Sequence, residues 1–223
     1  MRDGSGAPVR IADGAACGCF GREEAAKALA RTLAEAVLTA GGENRVAFCA
    51  FGEAGSSRWS CPLTESLADV LACIDASPVQ RGGDHAAGLA RALRLLNRRT
   101  VSERLGRRAA VVVLSGGEAF PAENGTRALC LAEALKGTMG EETPAVFGAA
   151  LSPEERRACG AEVIVVGLWD GRSTLLSALA SDAGARFTFE KIETAEAVTS
   201  AVLNRIGLRL SLIHISEPTR QAE

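Results

Sequence analysis

The chain opens with MRDGSGAPVR, where Asp3 and Ser5 place a carboxylate and a hydroxyl two residues apart among glycines. Both are oxygen donors, so the pair can be the first corner of a metal site. The same composition also suits a flexible start. Elsewhere the chemistry-bearing residues are sparse. His85 and His214 are the two histidines. His85, beside GGD, reads as a surface residue at a helix start rather than a catalytic base. GGEAF lacks the serine of a nucleophile elbow. GCFGREE has neither a third glycine at dinucleotide spacing nor a strand before it, and there is no Walker loop. Asp170, in LWDGR, reads as a turn residue. Trp59 and Trp169 read as isolated core or rim residues. An enzyme is therefore not expected.

The composition narrows the choice further. Of 223 residues, 47% are hydrophobic but only 4% aromatic, and Tyr is absent, so the core must be aliphatic. The 25 basic and 27 acidic residues are interspersed, and the net charge of −2 offers no footprint for nucleic acid. The basic clusters NRRT and GRRAA read as a solvated helix end and the residues leading into a strand. No apolar stretch reaches membrane-spanning length, and the polar, Gly-rich start does not resemble a signal peptide. The seven cysteines include no zinc-like CxxC pair. Cys49, Cys73 and Cys130 lie in apolar runs and read as small core residues. Cys17, Cys19 and Cys61 lie in loops and are the ones available to bridge. Cys159 falls outside both groups. NGT at 124–126 fits a glycosylation acceptor in a loop.

The elements alternate. REEAAKALARTLAEAVLTA has helical periodicity and ends at two glycines. NRVAFCAF is a continuously apolar run of the kind covered on both faces. SLADVLACIDAS is a helix capped by Ser66 or Thr64, and HAAGLARALRLLNR is a helix led by RGGD. RAAVVVLSGG is the clearest strand. TRALCLAEALKG is helix or loop, and SPEERRACG a second helical stretch. AEVIVVGLWD is a buried strand, STLLSALASD a helix, RFTFEKI a strand, and TAEAVTSAVLNRIG a closing helix. The alternation predicts a doubly wound, mostly parallel α/β sheet flanked by helices in three layers. Ligands should meet it beyond the carboxyl ends of the strands. The segment Leu210 to Glu223, LSLIHISEPTRQAE, resembles the translation of a sequencing-library transposon adapter running into its index, and is set aside as non-native.

With these elements placed, residues 3–207 resemble a single von Willebrand factor type A domain. In that family a D-x-S-x-S motif ends the first strand, a Gly-Gly-Thr-like loop opens a helix, and Thr-Asp-Gly ends a later strand. Together they hold one divalent cation, usually magnesium, with a coordination position left for an acidic residue of a partner. Here DGSGA supplies Asp3 and Ser5 but puts Ala7 at the second serine. GGDHAAGLARAL puts Asp84 where threonine is expected. VVVLSGGEAF puts Gly116 where aspartate is expected. The late stretch AEVIVVGLWDGRSTLLSALASD matches closely.

Two readings follow. Asp3, Ser5 and Asp84 hold Mg2+, with Glu118 reaching in. Alternatively the metal site is degenerate and Asp84 caps the helix beginning at His85, and this second reading is the favoured one. The resemblance implies a non-catalytic module that binds a protein ligand, of adhesion type, through loops carrying Ser5, Asp84 and Glu118. It implies an extracellular or cell-surface setting ahead of a cytoplasmic one. The alternative is a metal-independent intracellular scaffold or complex subunit of the same fold. DGSG is expected to close a first strand whose body is missing, leaving the sheet without that strand.

Overall fold

The computed structural model describes residues 22–41, 43–52, 60–77, 84–99, 108–116, 123–138, 159–168, 173–189 and 194–208. Asp3, Ser5, Ala7, Cys17, Cys19, Trp59, Glu118, Trp169, Asp170, the SPEERR stretch and the C-terminal tail lie outside them.

Among the described residues ten elements follow in chain order. They are α1 (Arg22–Thr39), α2 (Leu67–Ala76), α3 (His85–Asn97), β1 (Ala110–Ser115), α4 (Glu123–Lys136), β2 (Glu162–Leu168) and α5 (Thr174–Leu179), then a 3-10 turn (Ala183–Ala185), β3 (Arg186–Phe189) and α6 (Ala195–Ile206). The three strands form one parallel sheet in the order β1-β2-β3. Ala110 pairs with Glu162, and Val165 with Arg186. Helices flank the sheet in two packed groups, α1 against α2 and α6, and α3 against α4 with α5 beyond it.

The helix ends follow from local chemistry. α1 stops at Gly41, whose φ of 81° is the left-handed conformation that glycine adopts freely. Asn44 then donates its amide to the carbonyls of Val37 and Gly41, satisfying acceptors the helix leaves open. Ser66 caps α2 by accepting the Asp69 amide. α6 ends on Gly207 at φ 77°, and Leu208 donates back to the Leu203 carbonyl. TRALCLAEALKG resolves as helix, within α4.

β2 is the centre of the core. Val163, Ile164, Val165 and Val166 are fully buried, as a parallel strand covered on both faces requires. Leu131, Leu135, Leu176, Leu179 and Phe189 close around it. Arg205 of α6 makes ion pairs with Glu162 at the start of β2 and Asp182 before β3, tying the closing helix to the sheet.

Two expectations need correction. NRVAFCAF does not join the sheet. Residues 45–51 make two antiparallel bridges, Val46 with Thr64 and Cys49 with Ser60, and stay half-buried. An apolar run carries no record of which neighbour will cover it, and here that neighbour is a short ribbon rather than a sheet strand. NGT is not in a loop either: Asn124 and Thr126 lie half-buried in the first turn of α4.

Ile164→Ala should lower stability by about 2–5 kcal/mol, the cost of emptying a packed core site. The expected reading is a lower urea midpoint at unchanged slope.

Candidate functional site

Asp84, just before α3, does two jobs at once. Asp84 caps the helix, its Oδ1 accepting the Ala87 amide at 3.0 Å, and its own N–H donates to the Gly52 carbonyl at 2.9 Å. A carboxylate here also suits the positive end of the helix dipole. Asp84 is buried, as is His85 immediately after it.

The burial of His85 overturns the surface reading. It is 1% exposed, and its Nε2 lies 2.7 Å from Ser115 Oγ at the carboxyl end of β1. The Phe51 ring lies against it, centroids 5.2 Å apart at 52°. One helical turn further on, Gly88 makes room for Phe51: a Cβ there would stand 2.9 Å from the ring. Glycine is thus the residue that lets residues 45–51 approach α3. A buried imidazole requires hydrogen-bonding partners, and Ser115 supplies one.

Three chain segments therefore converge at one corner: the end of 45–51, the start of α3, and the end of β1. This is the strand-end position where α/β sheets collect ligands. Of the expected site residues, the structure brings Asp84 to this corner. Gly116 follows Ser115 there, exposed and without a side-chain oxygen. Asp3, Ser5 and Glu118 lie outside the described residues. Ser115 and Phe51 were not singled out from sequence. Ser115 ends a strand just before Gly-Gly, which is a usable signal. The fit of Phe51 against Gly88 has no signature in the chain.

Among the described residues no group of three or more His, Cys, Asp and Glu side chains could hold a metal ion. The donors at the corner are one carboxylate, already bonded to a helix amide, and one hydroxyl, already bonded to an imidazole. By themselves they do not fit the oxygen shell of a hard cation.

Of the cysteines, Cys61 differs from expectation, while Cys130 is buried in the core as expected. Cys61 is buried, accepts the Phe48 amide, and packs in the same small cluster as Cys73. Burial, reinforced by the neighbouring Cys61 thiol, pushes Cys73 up to about 11. Burial likewise raises Cys49.

No family model and no curated protein matches the chain. Solved structures do. The vWF domain of the type V pili tip protein Mfa5 from Porphyromonas gingivalis matches at 14% identity and a TM-score of 0.53, covering 84% of this chain and 90% of that one. The pilus adhesin SpaC from Lactobacillus rhamnosus GG matches at 12% identity and a TM-score of 0.58, covering 83% of this chain and 28% of that one. The chain has a von Willebrand factor type A-like fold. In this type A-like domain, the corner at His85 lies where α3 begins and β1 ends.

Asp84→Asn keeps a cap of equal quality and removes the charge, whereas Asp84→Ala removes the cap. The alanine variant should lose about 1 kcal/mol and the asparagine variant only a few tenths. Thermal melts of both check this, and an equal loss would show that the charge, not the cap, matters.

Proposed function

We propose that the chain is a non-catalytic, adhesion-type binding module for a protein ligand. Its binding face is the strand-end corner and the loops bearing Ser5, Asp84 and Glu118, and binding does not depend on a metal ion. The observation that carries this reading is the convergence of Phe51, Asp84, His85 and Ser115 at the carboxyl end of β1. The solved structures with this fold include a pilus tip domain and a pilus adhesin, which supports adhesion and an extracellular or cell-surface setting. No helix among the described residues is long and apolar enough to cross a membrane.

The non-catalytic reading draws on the same corner. A serine 2.7 Å from an imidazole has the spacing of a nucleophile and its base. Here both side chains are buried and join β1 to α3, which suits a structural tie.

Beads coated with the chain, tested against immobilised extracellular-matrix proteins, examine the binding reading. Retention is expected on at least one such surface, unchanged by EDTA. Glu118→Ala should reduce it about tenfold, the effect of losing roughly 1.4 kcal/mol. Release by EDTA, or a melting temperature raised by millimolar Mg2+ and not raised in Asp84→Asn, would restore the metal-dependent reading. No retention on any protein surface would remove adhesion.

One observation favours the second reading, a metal-independent intracellular scaffold: Cys49, Cys61, Cys73 and Cys130 carry free thiols. Cysteine mapping in protein from the native source separates the two. The adhesion reading predicts that at least one pair of cysteines is joined in a disulfide. Seven free thiols would favour the scaffold, because oxidising compartments form and keep such bridges.

A further inference from the structure

Several cations of the domain meet acids. Arg31 pairs with Asp75, Lys136 with Glu133, and Arg205 with Glu162 and Asp182. α3 is different, because it contains no acidic residue. Its aliphatic side, formed by Ala86, Leu89, Ala90, Leu93 and Leu96, is buried. Along another side Arg91, Arg94 and the C-capping Arg98 recur at the three- and four-residue spacing that makes neighbours on a helix. Arg91 is half-buried, and Arg94 and Arg98 are exposed. At the rise of a helix the row is about 10 Å long. None of the three makes an ion pair with a described residue.

Two of the three guanidinium groups are held in place. Arg91 donates its Nε–H to Ser60 Oγ at 3.1 Å, and Arg94 donates its Nε–H to the Ala90 carbonyl at 3.3 Å. Both bonds use Nε alone, so among the described residues the two terminal amino groups of each guanidinium have no acceptor. A guanidinium fixed through Nε presents those groups side by side, as the fork that takes both oxygens of a carboxylate. Fixing the fork in advance lowers the entropy cost of using it. The macrodipole favours cations in the last turn of a helix, which accounts for Arg94 and Arg98. Arg91 stands earlier, where the dipole offers little, and like charges three and four residues apart weaken a helix. The row therefore opposes α3 on its own and favours it only with anions alongside.

We propose that the arginine row of α3 is a docking surface for an acidic helix of a protein partner. The helix lies antiparallel to α3, and its carboxylates at i, i+4 and i+7 face Arg98, Arg94 and Arg91. The two helices rise equally per residue, so the rows stay in register. The short row selects this occupant over a long polyanion. Nucleic-acid binding draws on many phosphate contacts along a continuous basic track, whereas this track ends after three cations and meets the Asp84 carboxylate at the other end of the same helix. Asp84 lies about two turns before Arg91, so the row is a surface separate from the loop face proposed above. Charge pairing of this kind sets partner choice and speeds encounter more than it adds affinity.

The test titrates the isotope-labelled full chain at low salt with the blocked peptide Ala-Gln-Ala-Gln-Glu-Ala-Gln-Ala-Glu-Ala-Gln-Glu-Ala-Gln-Ala, whose glutamates have the required spacing. The control peptide carries glutamine at those three positions. The arginine Nε–H signals are read by NMR. The glutamate peptide should move the Arg91, Arg94 and Arg98 signals together, the control should not, and high salt should remove the effect by screening. Arg94→Glu combined with Arg98→Glu should weaken the glutamate peptide about tenfold or more, and should make the chain bind the same peptide with lysine at the three positions. That reversal of preference separates charge pairing from loss of fold. Should the acidic variant fail to fold, Arg94→Gln combined with Arg98→Gln must show the same weakening. Four results would overturn the proposal. The row may fail to respond at millimolar peptide. Arg31, outside the row, may respond equally, meaning unspecific attraction. A heparin fragment or a DNA oligonucleotide may move the row at lower concentration than the peptide, meaning a polyanion site. The signals may move with protein concentration alone, meaning that a second copy covers the row.

Discussion

A buried parallel strand has to be paired along both edges and covered on both faces, and β2 is the strand that meets this demand. Its valines and isoleucine are fully enclosed, β1 and β3 satisfy its two edges, and α4 and α5 pack on it directly. The rest of the domain is arranged around that requirement. α6 is held to the start of β2 through Arg205, and α3 reaches the core by packing on α4. At the outer edge of β1 no strand pairs among the described residues, and its aliphatic side chains are only half-buried.

The strand-end corner shows how a few polar groups organise an aliphatic domain. Asp84 bonds forward to its own helix and backward to Gly52, and His85 bonds across to Ser115. Gly52 and Ser115 are distant in sequence from the residues they bond, so the corner forms only when all three segments are in place. Loss of one partner strands the other in a site with little water, and an unsatisfied buried polar group costs more than the bond gains. That asymmetry holds the three segments together at the corner.

Local periodicity and helix-end chemistry were legible in the chain. The run Arg22–Thr39, the cap at Ser66, the cap at Asp84, the strands VVVLS and EVIVVGL and the closing helix at Gly207 all depend on neighbours a few residues away. So did the fold class, because alternating strands and helices with solidly apolar strands have few ways to bury themselves. Of the candidate site, Asp84 was legible as a cap for the same reason.

What the sequence determined by itself was most of the helices, their capped ends and the strands β1, β2 and β3 of a parallel sheet. Tertiary structure decided which partners those elements found. His85 read as a surface residue because a polar side chain at a helix start usually faces water. It is buried because Ser115, thirty residues away, supplies its hydrogen bond and Phe51 covers its ring. NRVAFCAF read as a sheet strand because apolar runs usually are, yet it pairs with residues 60–64. Burial and pairing depend on atoms brought together from far along the chain, and no local pattern encodes them.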